Sequence, residues 1–388
     1  MATRLKRTIV VLWIGILFGI LWMSRSTHAS ASIVRVAVVL EQSNFSLSVR
    51  EKFEIRNSGS GGMIFLGQNL NESVVTCGPK GIHVGEHGFP VTRLRIVPRR
   101  DASISIGKRR LRGDLEVVCG QHGLVTAVNA IELEDYVKGV LYHEVSNRWP
   151  LEAIKAQAVC TRTYALFRMR SKKRGDYDVT SDIYSQVYGG RNSEKYRTTM
   201  AANRTKGLVM VYGTQILPAY FHSVCGGHTE DASELWGHDL LPLKGVPCSF
   251  CRTSPHYAWK KNFRSKDVQD KLNANGYKLG LIKAMEVVDR NISGRIRRLK
   301  ITTRDGKEVF ISGKDFRNII GPNEVRSNNF EIEMKGYYFD LTGKGWGHGV
   351  GMCQWGANEM ARQRKKFEAI LQYYYPGVDI VNMEQIND

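Results

Sequence analysis

The sequence predicts an α+β fold, with a strand-rich N-terminal part, a helical segment and a mixed C-terminal lobe. Over residues 33–129, short runs of β-branched residues alternate with glycine and asparagine turns, as in an antiparallel β domain. From residue 131 the apolar positions recur every three or four residues, which is the period of a helix. The chain has 388 residues, 42% of them hydrophobic, and can therefore bury a sizeable core.

These changes of pattern divide the chain into four parts. Residues 1–31 form a signal peptide or N-terminal anchor, and residues 32–130 form a β-rich domain. Residues 131–262 form a helical segment that ends in a cysteine-rich loop, and residues 263–388 form a lobe with a glycine-rich motif. We expect the lobes to enclose a groove.

The first part has the layout of an export signal. Three basic residues precede an uncharged apolar stretch at residues 9–23, and small residues follow at Ala29 and Ala31. Because a membrane-spanning helix needs about 20 residues, cleavage is favoured over anchoring. The alternative is an uncleaved anchor at residues 8–23. We expect an exported protein of the periplasm or cell wall.

The positive charge belongs to the exported body as well as to the signal. The net charge is +19, and removing residues 1–31 takes away four basic residues and leaves +15. Such a field favours polyanions, including nucleic acid, membrane surfaces and the anionic polymers of a cell wall. Export argues against nucleic acid. The alternative is that the basic surface serves only solubility.

In the β-rich domain, residues 57–62 have loop composition and the basic stretch 99–112 predicts an exposed hairpin. Cys77 and Cys119 lie in this domain and are candidates for a disulfide. The chain contains seven cysteines, so complete internal pairing is impossible. At least one thiol is free, metal-bound or paired with another chain.

The first predicted helix carries a candidate catalytic carboxyl. Val137, Val140, Leu141 and Glu144 follow i, i+3, i+4 and i+7, so Glu144 shares a face with apolar residues. Loss of solvation raises the pKa of a carboxyl group, which is the state that a general acid needs near neutral pH. The alternative is a solvated or capping glutamate.

A second helix is predicted to begin at Pro150, a residue favoured at the first helical position. Lys155 and Arg162 are seven residues apart on one stripe of it and are candidate substrate-binding cations. The alternative for both is a structural ion pair. Beyond them we expect a helix at 193–205, strands at 208–212, 297–303 and 338–341, and a helix at 357–374.

The cysteine-rich loop has the spacing of a zinc site. Cys225-x2-His228 precedes Cys248-x2-Cys251, which offers three thiolates and one imidazole for a closed, structural zinc ion. His222 or His256 are alternatives to His228 as the fourth ligand. A disulfide is the alternative to the metal, because the compartment is oxidising.

The glycine-rich run at 345–356 lacks the strand, helix and lysine of a nucleotide-binding loop. We expect its glycines to allow a tight turn that brings His348 and Gln354 close to a sugar.

Four ordered blocks of sequence resemble the stage II sporulation protein D family. They are YVKGVLYHEV with WPLEAIKAQAVCTRTYA (136–145 and 149–165), SQVYGG (185–190), FHSVCGGHTE (221–230) and GWGHGVGMCQWGA (345–357). The family usually has Met-Pro after the glutamate of the first block. Here Val145 and Ser146 stand there and the proline arrives at Pro150, which lengthens the loop.

The resemblance implies a lytic transglycosylase that cleaves the bond between N-acetylmuramic acid and N-acetylglucosamine in peptidoglycan. It implies Glu144 as the acid/base, and Gln186, Tyr188 and His222 as polar groups of the groove. It also implies a preference for peptide-free strands produced by a partner N-acetylmuramoyl-L-alanine amidase. One alternative is a non-catalytic protein that binds the wall and recruits or stimulates an amidase. Another is a zinc hydrolase that uses His222, His228 or His348.

Overall fold

The computed structural model describes residues 32–99, 102–171 and 175–386. The predicted signal peptide or anchor at residues 1–31 lies outside these ranges. None of the helices in the described ranges has the length and apolar character needed to cross a membrane. The architecture is α+β, as the sequence predicts.

The N-terminal part consists of two packed sheets, in which strands β1 to β12 pair in antiparallel fashion. In β2 the alternate residues Phe45, Leu47 and Val49 are buried, which is the period of a strand with one face on a core. The strands are β1 (Ile33–Gln42), β2 (Asn44–Arg50), β3 (Phe53–Asn57), β4 (Met63–Gly67), β5 (Leu70–Gly78), β6 (Gly81–Val84), β7 (His87–Phe89), β8 (Arg93–Pro98), β9 (Ser103–Ile106), β10 (Arg109–Leu111), β11 (Asp114–Cys119) and β12 (Val125–Glu132).

One sheet has seven strands and the other has six. The seven-stranded sheet has the order β13-β1-β12-β11-β8-β3-β4, in which β13 (Val179–Thr180) pairs in parallel with β1. The six-stranded sheet has the order β10-β9-β2-β5-β6-β7. The predicted loop at 57–62 connects β3 to β4, and β9 with β10 forms the predicted basic hairpin. A Cys77–Cys119 disulfide, with Cα atoms 5.7 Å apart, confirms the predicted pairing.

The helical segment shares a core with these sheets. The next elements are α1 (Leu133–Glu144), α2 (Leu151–Ser171), α3 (Tyr196–Arg204), β14 (Leu208–Tyr212), β15 (Gln215–Ile216), β16 (Phe221–His222) and α4 (Ser233–Trp236), with a 3-10 turn at Gly190–Ser193. Val137, Val140 and Leu141 of α1 are fully buried, as are Ile154 and Ala158 of α2, and all join the strand residues in one cluster. The predicted boundary at 130/131 therefore crosses a continuous core.

A third part of the chain has a core of its own, made from residues between Trp259 and Leu341. It contains two three-stranded sheets, β17-β22-β21 and β18-β19-β20, with two helices. Its elements are β17 (Ala258–Arg264), α5 (Ser265–Ala274), β18 (Ile282–Arg290), β19 (Ile296–Thr303), β20 (Glu308–Ser312), α6 (Gly313–Ile320), β21 (Phe330–Lys335) and β22 (Tyr338–Lys344). We call this unit, residues 258–344, the inserted lobe.

After the inserted lobe the chain returns to pack against α2. Its last elements are β23 (Met352–Cys353), α7 (Gln354–Arg362), α8 (Phe367–Tyr374) and β24 (Asp379–Asn382), and β24 pairs with β14. The single helix predicted at 357–374 is two helices, because the chain turns at Arg364 with φ +63°. Three of the helices, α2, α7 and α8, and the cysteine-rich loop form a second core cluster.

Candidate active site

Glu144 is the last residue of α1, at the point where three segments of the chain meet. Its Oε1 accepts a hydrogen bond from the backbone N–H of Val187 at 3.1 Å. Its Oε2 accepts one from Nε2 of Gln354 at 3.3 Å. The helix thus brings the carboxylate to the SQVYGG segment and to the glycine-rich segment, which lie far away in sequence.

The surroundings of Glu144 favour its protonated form. Burial raises the pKa of this carboxyl group from 4.5 to about 7, and the hydrogen bonds from Val187 and Gln354 offset part of this effect. Protein surrounds the carboxyl group densely, but Glu144 as a residue is only half-buried and keeps some contact with solvent. A carboxyl group poised near neutral pH can give up a proton and take one back.

Gln186 and Tyr188 hold the segment that presents Val187 to Glu144. The hydroxyl of Tyr136 donates to Gln186 Oε1 at 2.9 Å, and the hydroxyl of Tyr188 donates to Asn129 Oδ1 at 3.0 Å. The rings of Tyr136 and Tyr188 stack with centroids 5.5 Å apart. Gln186 and Tyr188 are each only 1% exposed. The structure therefore gives these two predicted groove residues a positioning role behind the site.

Gln354, which the sequence predicted near a sugar, contacts Glu144 itself and a residue of α2. Its Nε2 also lies 3.4 Å from Oε1 of Gln157, whose own Nε2 donates to Thr161 Oγ1 at 3.3 Å. Gln157 is fully buried. Sequence reasoning missed this residue, although a glutamine within an apolar helical stretch is a signal of a buried hydrogen-bond network.

Arg162 has a structural role in this fold. It is 0% exposed, and its Nε and Nη2 lie 2.7 and 2.8 Å from the two carboxylate oxygens of Glu134. Its Nη1 also donates to the carbonyl of Leu208 at 3.1 Å. A guanidinium with these partners offers no surface to a substrate, so Arg162 forms the structural ion pair that was the alternative to its predicted role in substrate binding.

Lys155 is also engaged within the protein. Its Nζ lies 2.8 Å from Glu152 Oε1 and 5.5 Å from the ring centroid of Phe367 in α8. Its side chain is 16% exposed. Lys155 and Arg162 thus contact different neighbours. Because α2 is buried on several sides, the helix stripe predicted to carry both residues does not face one groove.

His222 and His348 form a separate cluster with Trp236. The two imidazole centroids are 5.7 Å apart, and that of His348 lies 5.1 Å from Trp236. His222 Nδ1 lies 3.0 Å from the carbonyl of Val350, and the N–H of Val350 donates to His348 Nδ1 at 3.1 Å. Burial lowers the pKa of His222 to about 3 and that of His348 well below its usual value, so both rings are neutral.

Four buried cysteines form a candidate metal centre. The sulfur atoms of Cys225, Cys248, Cys251 and Cys353 all lie within 4.8 Å of one another. The fourth member of this group is Cys353 and not the predicted His228, whose Nδ1 lies 2.6 Å from the carbonyl of Thr229. Parallel pairing of β16 with β23 brings Cys353 to the cluster, a contact that local spacing does not reveal.

The other two histidines considered as ligands also lie outside this group of four. The ring of His222 is engaged with Val350 and His348, as described above. The ring of His256 packs edge-on against Trp346, with centroids 4.8 Å apart. Cys160, the remaining free cysteine, is buried apart from the cluster, 3.5 Å from the hydroxyl of Tyr375.

Comparisons with known proteins show which family this chain belongs to. The family model described as Stage II sporulation protein matches residues 121–212, which include α1, α2 and the SQVYGG segment. Stage II sporulation protein D of Bacillus subtilis (strain 168) is 33% identical over 270 residues, which cover 66% of this chain and 76% of that protein. The chain belongs to the stage II sporulation protein D family.

Two further proteins are similar to this chain. An uncharacterized protein of Brachyspira hyodysenteriae is 32% identical over 361 residues, covering 92% of this chain and 95% of that protein. The amidase enhancer of Bacillus subtilis (strain 168) is 26% identical over 293 residues, covering 63% of this chain and 40% of that protein. A model described as a domain of unknown function matches residues 249–351, which include the inserted lobe.

Proposed function

We propose that this member of the stage II sporulation protein D family is an exported lytic transglycosylase that cleaves peptidoglycan glycan strands. The observation that carries the proposal is Glu144, a carboxyl group with a pKa of about 7 where the blocks of family resemblance meet. Export is inferred from the signal-like residues 1–31.

In the proposed reaction, protonated Glu144 gives its proton to the glycosidic oxygen as the bond between that oxygen and C1 of N-acetylmuramic acid breaks. The resulting carboxylate accepts hydrogen bonds from Val187 and Gln354. It then takes the proton of the muramic C6 hydroxyl, whose oxygen bonds to C1 and closes a 1,6-anhydro ring. Because the sugar supplies the nucleophile, no second catalytic carboxylate is needed.

The segment that contacts Glu144 also carries an exposed aromatic residue. Tyr184 is 81% exposed and lies three residues before Val187, on the same segment that contacts Glu144. Tyrosine rings present an apolar face with a polar edge, a surface that suits a pyranose ring. We assign Tyr184 to substrate binding and expect Tyr184→Ala to raise KM more than it lowers kcat.

The proposed substrate is a peptide-free strand made by a partner amidase. A strand without peptides exposes the carboxylates of its lactyl groups, which a protein of net charge +15 after signal removal attracts. Since Arg162 and Lys155 are engaged within the fold, this preference is supported by the overall field and by the family resemblance.

The test is digestion of amidase-treated glycan strands by the purified protein and its Glu144→Gln variant, with products identified by mass spectrometry. Glu132→Gln is the matched control, because Glu132 is exposed at the start of α1. We expect 1,6-anhydro ends from the wild type and from Glu132→Gln only. Equal amounts of these ends from Glu144→Gln would contradict the proposal.

A second candidate function is a non-catalytic protein that binds the wall and stimulates an amidase. The observation in its favour is the similarity to a protein named amidase enhancer. Strands that stay intact but bind both the wild type and Glu144→Gln would support this function. Adding an amidase to the same assay then shows whether the protein accelerates peptide release.

We also propose that the four-cysteine cluster holds a structural zinc ion. Zinc–sulfur bonds of about 2.3 Å in a tetrahedron place the sulfurs about 3.8 Å apart, which fits four atoms that all lie within 4.8 Å. Four thiolates fill the coordination sphere, so the zinc would stabilise the loop and would have no open position for a substrate. The alternative of a zinc hydrolase that uses His222, His228 or His348 would then lack a catalytic metal. Elemental analysis tests this, and thiol titration tests the disulfide alternative.

A further inference from the structure

The inserted lobe contains a second candidate binding site, and its lining includes neither of the residues that donate hydrogen bonds to Glu144. A pocket of about 390 Å³ lies at the N-terminus of α5. Its lining includes Arg264, Ser265 and Gln269 from the start of this helix, and Arg304 and Tyr337 from neighbouring loops. A volume of this size holds one or two sugar units.

Two polar groups in this pocket lack partners. Ser265 and Gln269 are only 6% and 8% exposed. Among the described residues, neither Ser265 Oγ nor Gln269 Oε1 has a hydrogen-bond partner. An unpartnered buried polar atom beside a pocket is a reason to expect a ligand that supplies the missing hydrogen bond.

The entrance to the pocket is positively charged. The N-cap of α5 is Arg264, and the N–H of Ser265 at the start of this helix donates to the carbonyl of Tyr337 at 2.9 Å. Asp267 also lies in the first turn, so the positive charge comes from the arginines and not from the helix terminus. Within the described part of the chain, Arg264 and Arg304 have no carboxylate within ion-pair distance, whereas Lys266 pairs with Asp270. Two unpaired guanidinium groups on one pocket lining are a site for an oxyanion.

An aromatic surface lies beside these charges. The guanidinium of Arg304 lies 5.0 Å from the ring centroid of Tyr337, and Tyr337 and Tyr338 are 65% and 49% exposed. Leu281, which is 52% exposed, adds an apolar contact on the same lining. The pocket therefore combines an anion site, a flat apolar surface and buried hydrogen-bonding groups.

We propose that this pocket binds an anionic polymer rich in hydroxyl groups, with its oxyanion between Arg264 and Arg304. A hydroxyl or amide hydrogen of the same unit donates to Gln269 Oε1, and carbon atoms of the unit lie against the ring of Tyr337. The oxyanion is a carboxylate of a peptide-free glycan strand or a phosphate of a polyol-phosphate polymer. The inference does not depend on cleavage at Glu144, because a second site binds a polymer whether or not the first one cuts it.

The test is ligand protection of arginine in the full chain carrying Glu144→Gln, which keeps glycan strands intact. The protein is treated with phenylglyoxal alone, with peptide-free glycan strands, or with poly(glycerol phosphate), and modified arginines are quantified by mass spectrometry. We expect at least one polymer to slow modification of Arg264 and Arg304 by fivefold or more. Arg298, which is 55% exposed on the same lobe, is the internal control.

Variants provide a second measurement. We expect Arg264→Glu with Arg304→Glu to weaken binding of the protecting polymer at least tenfold, and Arg298→Glu to change it less than twofold. Protection by strands alone or by poly(glycerol phosphate) alone identifies the oxyanion.

Two results would overturn the inference. One is that neither polymer protects Arg264 and Arg304 more than Arg298. The other is that Arg298→Glu weakens binding as much as the double variant, which would show attraction by net charge without a site. Absence of cleavage by the wild type, with protection of Arg264 and Arg304 intact, would contradict the proposed function alone.

Discussion

Gln354→Met removes one hydrogen bond from the Glu144 carboxylate while keeping the length of the side chain. The bond from the amide stabilises the ionised form, so its loss should raise the pKa of Glu144 further. A hydrogen bond to a charged group contributes about 1.5–3 kcal/mol. At 3.3 Å, and shared with Gln157, this one is long, so we take about 1 kcal/mol.

At roughly 1.4 kcal/mol per pH unit, this loss moves the titration midpoint of Glu144 upward by about 0.7 pH unit. The first step needs protonated Glu144, so cleavage falls as pH rises through a pKa of about 7, and the variant keeps its activity to higher pH. The assay is the pH dependence of kcat/KM on peptide-free strands. Carbon-13 NMR of carboxyl-labelled glutamate, with Glu144→Gln as the difference sample, follows the same proton without catalysis.

Gln363→Met is the matched control, since Gln363 is an exposed glutamine just beyond the other end of α7. It should leave the midpoint where it is in the wild type. If Gln354→Met folds and its midpoint stays unchanged or moves to lower pH, the amide does not stabilise the ionised carboxylate. The description of the site would then be incorrect.

Three further predictions follow from burial, charge and the cysteine cluster. Arg162→Met leaves Glu134 without its buried partner and should lower the free energy of unfolding by about 3–5 kcal/mol in urea titrations; a change in KM without this loss would restore its predicted role in substrate binding. Because the folded-state pKa of Glu144 lies above its unfolded value of 4.5, its ionisation destabilises the fold as pH rises from 4.5 through 7. Glu144→Gln should therefore be more stable than the wild type by about 1–2 kcal/mol at pH 8, after allowance for its partial exposure, and this difference should vanish at pH 4, as thermal unfolding would show. Cys353→Ser should lose bound zinc and His228→Ala should keep one ion per chain in elemental analysis; the reverse pattern would restore the predicted ligand set.

The sequence by itself determined the features that depend on local periodicity. The spacing of apolar residues in α1 fixes which face is buried, and Glu144 falls on that face because 3.6 residues make a turn. Alternation in β2 and the turn composition at 57–62 place strands and loops for the same reason. The ordered blocks of family resemblance also identified the family without any structure.

The tertiary structure alone decided which distant residues meet. Pairing of β16 with β23 brings Cys353 into the cysteine cluster, where local spacing favoured His228. Because α2 is packed on several sides, Arg162 forms a buried ion pair and Gln157 lies beside Gln354. A helical pattern does not show which neighbours these residues contact. Contacts between segments far apart in sequence depend on how whole elements pack, and the period of each element fixes only its own buried face.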